Sequence, residues 1–324
     1  MRVLFAGSPA IAVPSLEAVC KTKGIELIGV LTNPDTPKGR HGSPLPTEIG
    51  EAAQDLLPDA HETRILKPFK LDVAARQQVS VLKPDLLVSF AYGRIFGPKF
   101  LALFPLGGIN IHPSLLPKYR GPSPIQAAIL NRDSETGISI QTLAQQMDSG
   151  DILAAEKIQL TGRETSLSLG GIVSVKAAQM LGGVLEKIKE NKSTGRQPEG
   201  KPQNHSEASY CSIISRDEGV IKWSESAFKI DAKIRAFDPW PLCRTIHNGR
   251  ELFILEAEVY NGDFKSQGEP GLVLEKSGNL ENGILIQTGD GILVVTKLQY
   301  QAKKALFWQD FLNGARNFIG SQLI

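Results

Sequence analysis

Val3-Leu4-Phe5-Ala6-Gly7, near the start of a 324-residue chain, is a continuous apolar run closed by glycine. Residues Val13 to Cys20 follow at helical spacing, and Glu26-Leu27-Ile28-Gly29-Val30-Leu31 is a second apolar run. Strand, helix and strand within about 30 residues make one crossover unit, which places the two strands parallel in one sheet. The pattern continues with strands predicted at Asp85–Phe90 and Gly108–His112, then at Ile138-Ser139-Ile140 and Ile152–Ala155. From Ser166 to Lys189 the apolar residues recur at helical spacing, predicting one long amphipathic helix. The expected fold class is α/β, a Rossmann-like, mostly parallel sheet with helices on both faces.

The pattern changes at residues 190–209, which hold almost no apolar side chain and two prolines and read as a linker. Beyond it, Ser226–Phe237 is helical in period. Short strands then follow at Phe253–Leu255, Gly271–Leu274, Gly283–Ile286 and Ile292–Val295. That spacing suggests a small OB-like β-barrel. The expected division is 1–189 catalytic, 190–209 linker and 210–324 barrel. Trp240, between two prolines, is expected in core or interdomain packing, and Arg235, on the 226–237 helix, reads equally as a binding contact or a structural arginine.

The 36 Lys and Arg nearly balance the 34 Asp and Glu, which argues against a bulk-basic nucleic-acid coat protein. The balance is uneven along the chain: residues 1–204 carry 23 basic and 19 acidic side chains, and 205–324 carry 13 and 15. Cys20, Cys211 and Cys243 form no CxxC pair, which fits a reducing compartment and argues against a zinc site. The apolar start is too short for a signal-peptide core or a membrane span, so a cytoplasmic protein without a membrane partner is expected. No G-x-S-x-G, Walker loop or H-E-x-x-H occurs, and no G-x-G-x-x-G follows Gly7-Ser8-Pro9, so neither a metal nor a nucleotide cofactor is expected.

The densest polar constellation lies between residues 107 and 151. In Gly108-Ile109-Asn110-Ile111-His112-Pro113, strand alternation puts Asn110 and His112 on one face. Pro113 ends the strand, so the pair sits at its carboxyl end, where open α/β sheets bind ligands. A carboxamide N–H suits an oxyanion and an imidazole suits proton transfer, as acyl transfer requires. Asp148, in Met147-Asp148-Ser149-Gly150-Asp151, is the carboxylate best placed to orient the imidazole and raise its pKa.

Asn110-Ile111-His112-Pro113-Ser114-Leu115-Leu116-Pro117, then Arg120-Gly121 and Pro124, then Met147-Asp148-Ser149-Gly150-Asp151, resembles the 10-formyltetrahydrofolate-dependent formyltransferases. Within that family it is most similar to the branch that formylates methionyl-initiator tRNA, and the likeness covers nearly the whole chain. The resemblance implies formyl transfer from 10-formyltetrahydrofolate to the methionine α-amino group. In that reading Asn110 and protonated His112 stabilise the oxyanion, and Asp148 holds the imidazole. Ser114, Leu115, Leu116 and Pro117, with Gly93, Arg94, Ile95 and Phe96, match segments that bind the folate. Lys38 and Arg40, in the loop 33–47, match the acceptor-stem contact, and Ile11 matches the aminoacyl pocket. No protein partner is implied, and a monomer is expected.

Three positions depart from the family. Ile11 stands where an aromatic is usual. Ala144 and Gln146 replace acidic or small residues upstream of Asp148, and His41-Gly42-Ser43 replaces a basic run. Few lysines beside an acidic barrel predict tRNA binding with a shallow salt dependence. Rival readings are a formyltransferase acting on an amino sugar or a glycinamide nucleotide, a 10-formyltetrahydrofolate hydrolase, and a non-enzymatic nucleic-acid-binding protein using its barrel.

Overall fold

The computed structural model describes every residue except 38–41, 58–63, 193–194, 264–267 and 276–282. The first sheet is built from β1 (Arg2–Gly7), β2 (Glu26–Leu31), β5 (Ile65–Leu66), β6 (Leu86–Phe90), β7 (Gly108–His112), β8 (Glu135–Thr142) and β9 (Ile152–Gln159), with β3 (Thr36–Pro37) and β4 (Pro44–Leu45) paired separately. Its order is β5-β2-β1-β6-β7-β8-β9. The pairings from β5 across to β7 are parallel, and β8 and β9 add antiparallel at one edge. Both alternating sets of β1, Val3 with Phe5 and Leu4 with Ala6, are fully buried, as a sheet covered on both faces requires.

The helices that fall within residues 1–191 of the sequence are α1 (Val13–Lys21), α2 (Glu48–Leu56), α3 (Val73–Val81), α4 (Pro98–Leu101), α5 (Pro124–Leu130) and α6 (Ser166–Asn191). Thr47 caps α2 by accepting from Gly50 N at 3.0 Å, and Asp72 caps α3 by accepting from Ala75 N at 3.1 Å. Tyr92, Phe96, Phe100 and Phe104 stack in a ladder with centroids 5.5–5.7 Å apart, packed on Leu4, Ala6, Leu31 and Leu87. α6 is long and apolar enough to span a membrane by length and composition. Its stripe of Val173, Ala177, Leu181, Leu185 and Ile188 is nevertheless buried in the protein, and Ser174 Oγ donates to the Ile11 carbonyl at 2.7 Å.

The second sheet is antiparallel, with order β10 (Cys243–His247), β11 (Arg250–Val259), β13 (Ile292–Tyr300) and β12 (Ile284–Gln287), and with β14 (Leu306–Phe307) on β13. α7 (Ala227–Ala236), capped by Ser226, and α8 (Trp308–Gly314) complete it. No ladder joins β10 to β12 among the described residues, so the OB-like barrel takes the form of a curled, part-open sheet. The run 271–274 is not a strand: Leu272 and Val273 make only isolated bridges, to Gln322 and Ile286. Trp240 is 57% exposed, so it is not a core residue. Arg235 pairs with Asp231 at 2.9 Å and donates to the Glu164 carbonyl at 3.1 Å, a structural arrangement.

The chain divides into two compact units that are discontinuous in sequence. One comprises Met1–Pro124, Glu135–Gln159 and Gly170–Ser212; the other comprises Ile125–Ser134, Leu160–Leu169 and Ile213–Ile324. Residues 195–209, read from sequence as linker, and 210–212, read as the start of the barrel, thus belong to the unit that carries the parallel sheet. They are tied there by reciprocal backbone bonds between Ile152 and Lys201, both 2.9 Å.

Candidate active site

β7 delivers Asn110 and His112 to the carboxyl end of the parallel strands, as the alternation of GINIH requires. Ile109 and Ile111 are buried on the opposite face. Across the antiparallel pairing, Asn110 stands opposite Gln141 and His112 opposite Ser139. Residues directly opposite share a face, so β8 adds a second carboxamide beside Asn110.

Asp148 comes to this face from the turn after β8. Its φ of +52° is left-handed, a conformation that Asp tolerates better than most residues. Oδ2 accepts from Gly121 N at 2.8 Å, and Oδ1 accepts from Gln141 Nε2 at 2.9 Å. Asn110 Nδ2 lies 3.5 Å from Oδ1, at the outer limit of a hydrogen bond. The carboxylate is therefore held by Gly121 and Gln141, and the Asn110 amide keeps its donor for another acceptor. Gly121 has φ +119° and Gly150 lies against the Thr142 carbonyl, where a Cβ would collide. Both glycines are fixed by the close backbone approach that builds the turn.

His112 is 4% exposed. Its Nε2–H donates to the Tyr119 carbonyl at 2.8 Å, which turns Nδ1 toward Asp148 Oδ2 at 3.6 Å. Burial holds the imidazole below its usual pKa; Asp148 and the Tyr119 carbonyl both oppose that shift without overcoming it. The sign of the Asp148 influence is the expected one. Desolvation is the larger influence, and it shifts the imidazole toward its neutral form.

The expected folate segments divide into two groups. Ser114 is fully buried and structural: its hydroxyl donates to the Lys118 carbonyl at 2.6 Å, and its carbonyl accepts from Ser139 Oγ at 2.8 Å. Leu116 is buried, with its N–H on Ser139 Oγ at 3.1 Å, whereas Leu115 and Pro117 are partly exposed. Ile95, 75% exposed, and Phe96 line a cavity of about 770 Å³ together with Leu101, Phe104, Gly108 and Leu143. Gly108 is two residues before Asn110, about 7 Å along the strand. Gly93, at φ +77°, and Arg94 lie just upstream, and Arg94 Nε donates to Asn33 Oδ1 at 2.8 Å.

Ile11 lies beyond the carboxyl end of β1, on the same rim of the sheet as Asn110. β6 intervenes between β1 and β7, which sets those two strands roughly 10 Å apart. Lys38 and Arg40 lie outside the described residues. Three groups that carry the site escape a reading by sequence spacing. Asn33 donates to Ser8 Oγ at 2.9 Å while it holds Arg94. Gln141 could be found only through the β7–β8 register. Gln203, 6% exposed, comes from the apparent linker: Nε2 donates to the backbone carbonyls of Asp148 at 2.9 Å and Gly150 at 2.7 Å. Among the described residues no group of three His, Cys, Asp or Glu side chains comes together to hold a metal ion.

A buried imidazole facing a carboxylate, beside an amide with its donor available, suits transfer of an acyl group to a nucleophile. Residues 1–185 match the sequence model of the formyl transferase family, and residues 213–316 match its C-terminal domain. The chain belongs to the formyl transferase family. Among formyltransferases, it is 46% identical to the methionyl-tRNA formyltransferase of Treponema denticola, over 98% of both chains. It is 38% identical to that of Borreliella burgdorferi, over 99% of this chain and 98% of the other. Solved structures share the fold at lower identity. An N-formyltransferase from Helicobacter canadensis, in complex with folinic acid and dTDP-3-aminofucose, aligns with TM-score 0.62 and 20% identity over 92% of this chain and 98% of that one. HypX from Aquifex aeolicus in complex with tetrahydrofolic acid aligns with TM-score 0.60 and 17% identity over 98% of this chain and 48% of the larger protein.

Proposed function

We propose that this formyltransferase moves a formyl group from 10-formyltetrahydrofolate to the α-amino group of methionine on initiator tRNA, forming N-formylmethionyl-tRNA in the cytoplasm. The observation that carries the reading is the gathering of Asn110, His112 and Asp148 at the end of β7 in a chain alike over its full length to enzymes named for that reaction. The full-length likeness favours this acceptor over an amino sugar or a glycinamide nucleotide. In this reading 1–189, 190–209 and 210–324 are the catalytic, connecting and OB-like stretches in sequence order, with 195–212 packed on the catalytic unit and 125–134 and 160–169 lent to the other. Lys38 and Arg40 face the acceptor stem, Ile11 the aminoacyl end, and the chain acts as a monomer.

The cavity walled by Ile95, Phe96, Leu101 and Leu143, with Thr142, Gln145 and Gln197 adding polar groups, has the size that a folate ring needs. The methionine amine, with an α-amino pKa near ~7.7–8.0, is partly neutral at physiological pH and attacks the formyl carbon. As the carbonyl oxygen gains charge, the Asn110 Nδ2–H donates to it. The amine nitrogen sheds one proton on acylation, and the N10 nitrogen of the departing tetrahydrofolate takes one up. His112, backed by Asp148, has Nδ1 as its one ring position outside a hydrogen bond, and in this reading it takes the proton there and returns it. The imidazolium then faces Asp148 Oδ2 with Nδ1 and donates from Nε2 to the Tyr119 carbonyl, so its charge is met on both sides.

The test offers labelled formyl donor to purified protein with charged initiator tRNA, charged elongator tRNA, an amino sugar nucleotide, or no acceptor. Formylation of initiator methionyl-tRNA alone supports the reading. Formate release without acceptor favours a hydrolase, and absence of turnover in every arm refutes formyl transfer.

A further inference from the structure

Arg120 and Asp148 are joined by two carboxamides whose orientations are dictated in turn. The Arg120 side chain is 2% exposed, and its Nε and Nη2 donate to Gln203 Oε1 at 3.1 and 2.7 Å. That fills both lone pairs of the amide oxygen and forces the Gln203 NH₂ to the opposite side. There Nε2 reaches the Asp148 carbonyl, the Gly150 carbonyl, and Gln141 Oε1 at 3.2 Å. With its oxygen on Gln203, Gln141 turns its own NH₂ to Asp148 Oδ1 at 2.9 Å. The order is guanidinium, amide, amide, carboxylate, with every dipole pointing the same way. Among the described residues no carboxylate pairs directly with Arg120, and its side chain also meets His205 Nδ1 at 3.1 Å and the Tyr210 hydroxyl at 3.4 Å. Backbone bonds hold the donor segment on the same loop: Arg120 N on the Ser209 carbonyl at 2.9 Å and Cys211 N on the Arg120 carbonyl at 2.8 Å.

We infer that Gln203 is a positioning residue for catalysis: locked by Arg120, it fixes both the backbone of the Asp148 turn and, through Gln141, the carboxylate that faces His112. Asp148 bonds at both oxygens, so its aim at Nδ1 depends on the direction of each donor. Losing the Gln203 amide frees the 148–150 carbonyls and the Gln141 oxygen together, and the carboxylate drifts from the ring. The alternative is that Gln203 only cements residues 195–212 to the sheet. The two differ for a glutamate, which would keep and strengthen the Arg120 tie but turn a lone pair toward two carbonyl oxygens. The ionisable groups tied into this network are Arg120, Tyr119, Asp148, His205, Tyr210 and Cys211, so a change at His112 is read against all of them.

The inference rests on the proposed formyl transfer for its kinetic test but not for its spectroscopic one. Gln203→Met, which keeps the volume, and Gln203→Glu are compared with wild type in steady-state formylation of initiator methionyl-tRNA, with melting temperature followed in parallel. His112 is titrated by NMR in labelled protein, its resonance assigned with His112→Gln. For both variants kcat falls about 10- to 100-fold while KM for donor and acceptor stays within about threefold. In Gln203→Met the His112 titration also moves to lower pH, because the receding carboxylate supports the imidazolium less. Wild-type kcat and titration in either folded variant would overturn the inference. So would a lowered kcat with a raised KM and an unmoved titration, or failure of both variants to fold, which would assign Gln203 to the fold alone. If wild type itself does not formylate the tRNA, the substrate reading fails, while the titration still decides the positioning role.

Discussion

Replacing Asp148 by Asn keeps the shape of the site and removes only its charge. Asp148 Oδ2 stands 3.6 Å from His112 Nδ1, with both side chains nearly buried. At an effective dielectric near 20, a charge pair at that separation is worth about 4–5 kcal/mol. A reaction that passes through the imidazolium therefore slows on the order of 10³-fold. A second cost falls on the fold. The carboxylate accepts from Gly121 N at 2.8 Å and from Gln141 Nε2 at 2.9 Å, and an Asn can accept at only one of those positions. The other leaves two donors face to face, which costs about 1–3 kcal/mol of stability. Burial already depresses the His112 pKa and Asp148 opposes it, so removing the charge drives it lower still. The limb of the kcat–pH profile belonging to His112 moves to lower pH. Single-turnover formylation across pH 5–9, with urea unfolding of the same preparations, measures both effects. A folded Asp148→Asn protein within about tenfold of wild type, with an unmoved profile, would refute the assignment of the charge pair.

Asn110→Ala, whose native amide donor is only marginally engaged by Asp148, should melt near wild type yet lose about 2.7–4 kcal/mol of transition-state stabilisation in kcat; near-normal turnover contradicts its oxyanion role. Gly150→Ala forces a Cβ onto the Thr142 carbonyl, and an unchanged melting temperature would show that the turn is looser than described. His112 and His247 both have depressed pKa values, so their unfolded forms bind protons first as pH drops through about 6.5. Stability should be full above that pH and decline below it, and His112→Gln should flatten part of the decline in chemical denaturation at pH 5–7. If initiator tRNA is held mainly by Lys38 and Arg40, the logarithmic salt slope of binding is about −1.5 to −2, and Lys38→Ala lessens it by about one. A slope steeper than about −6 would mean that many more phosphates are met.

The parallel sheet was legible because β1, β2, β6 and β7 are short apolar runs punctuated by glycine or proline, and period-two alternation in Gly108–His112 put Asn110 beside His112. What escaped had a common cause. Gln141 and Gln203 matter through partners 62 residues apart in sequence, and polar residues in a strand or a Pro-rich segment show no periodicity that reveals them. The low polarity of His112's surroundings was hidden in the same way. Its carboxylate neighbour could be named from sequence, but the burial that outweighs it is a property of the packed loop. Residues 271–274 misled in the opposite direction, since an apolar run at the end of a curled sheet can pack without joining a ladder.

The second compact unit recruits Ile125–Ser134 and Leu160–Leu169 in addition to everything after Ile213. During synthesis those two excursions leave the ribosome well before the strands that complete their unit. At about 5–20 residues per second, the remainder of the chain after Ser134 takes roughly 10–40 s to emerge. For that interval Ile129, nearly inaccessible in the finished protein, has no finished core to enter. Vectorial folding therefore cannot close the first half and then start the second; α5 must wait for residues translated much later. A fragment ending near residue 189 would keep that unmet apolar surface permanently, which makes it a target for chaperone holding or self-association instead of a free-standing catalyst.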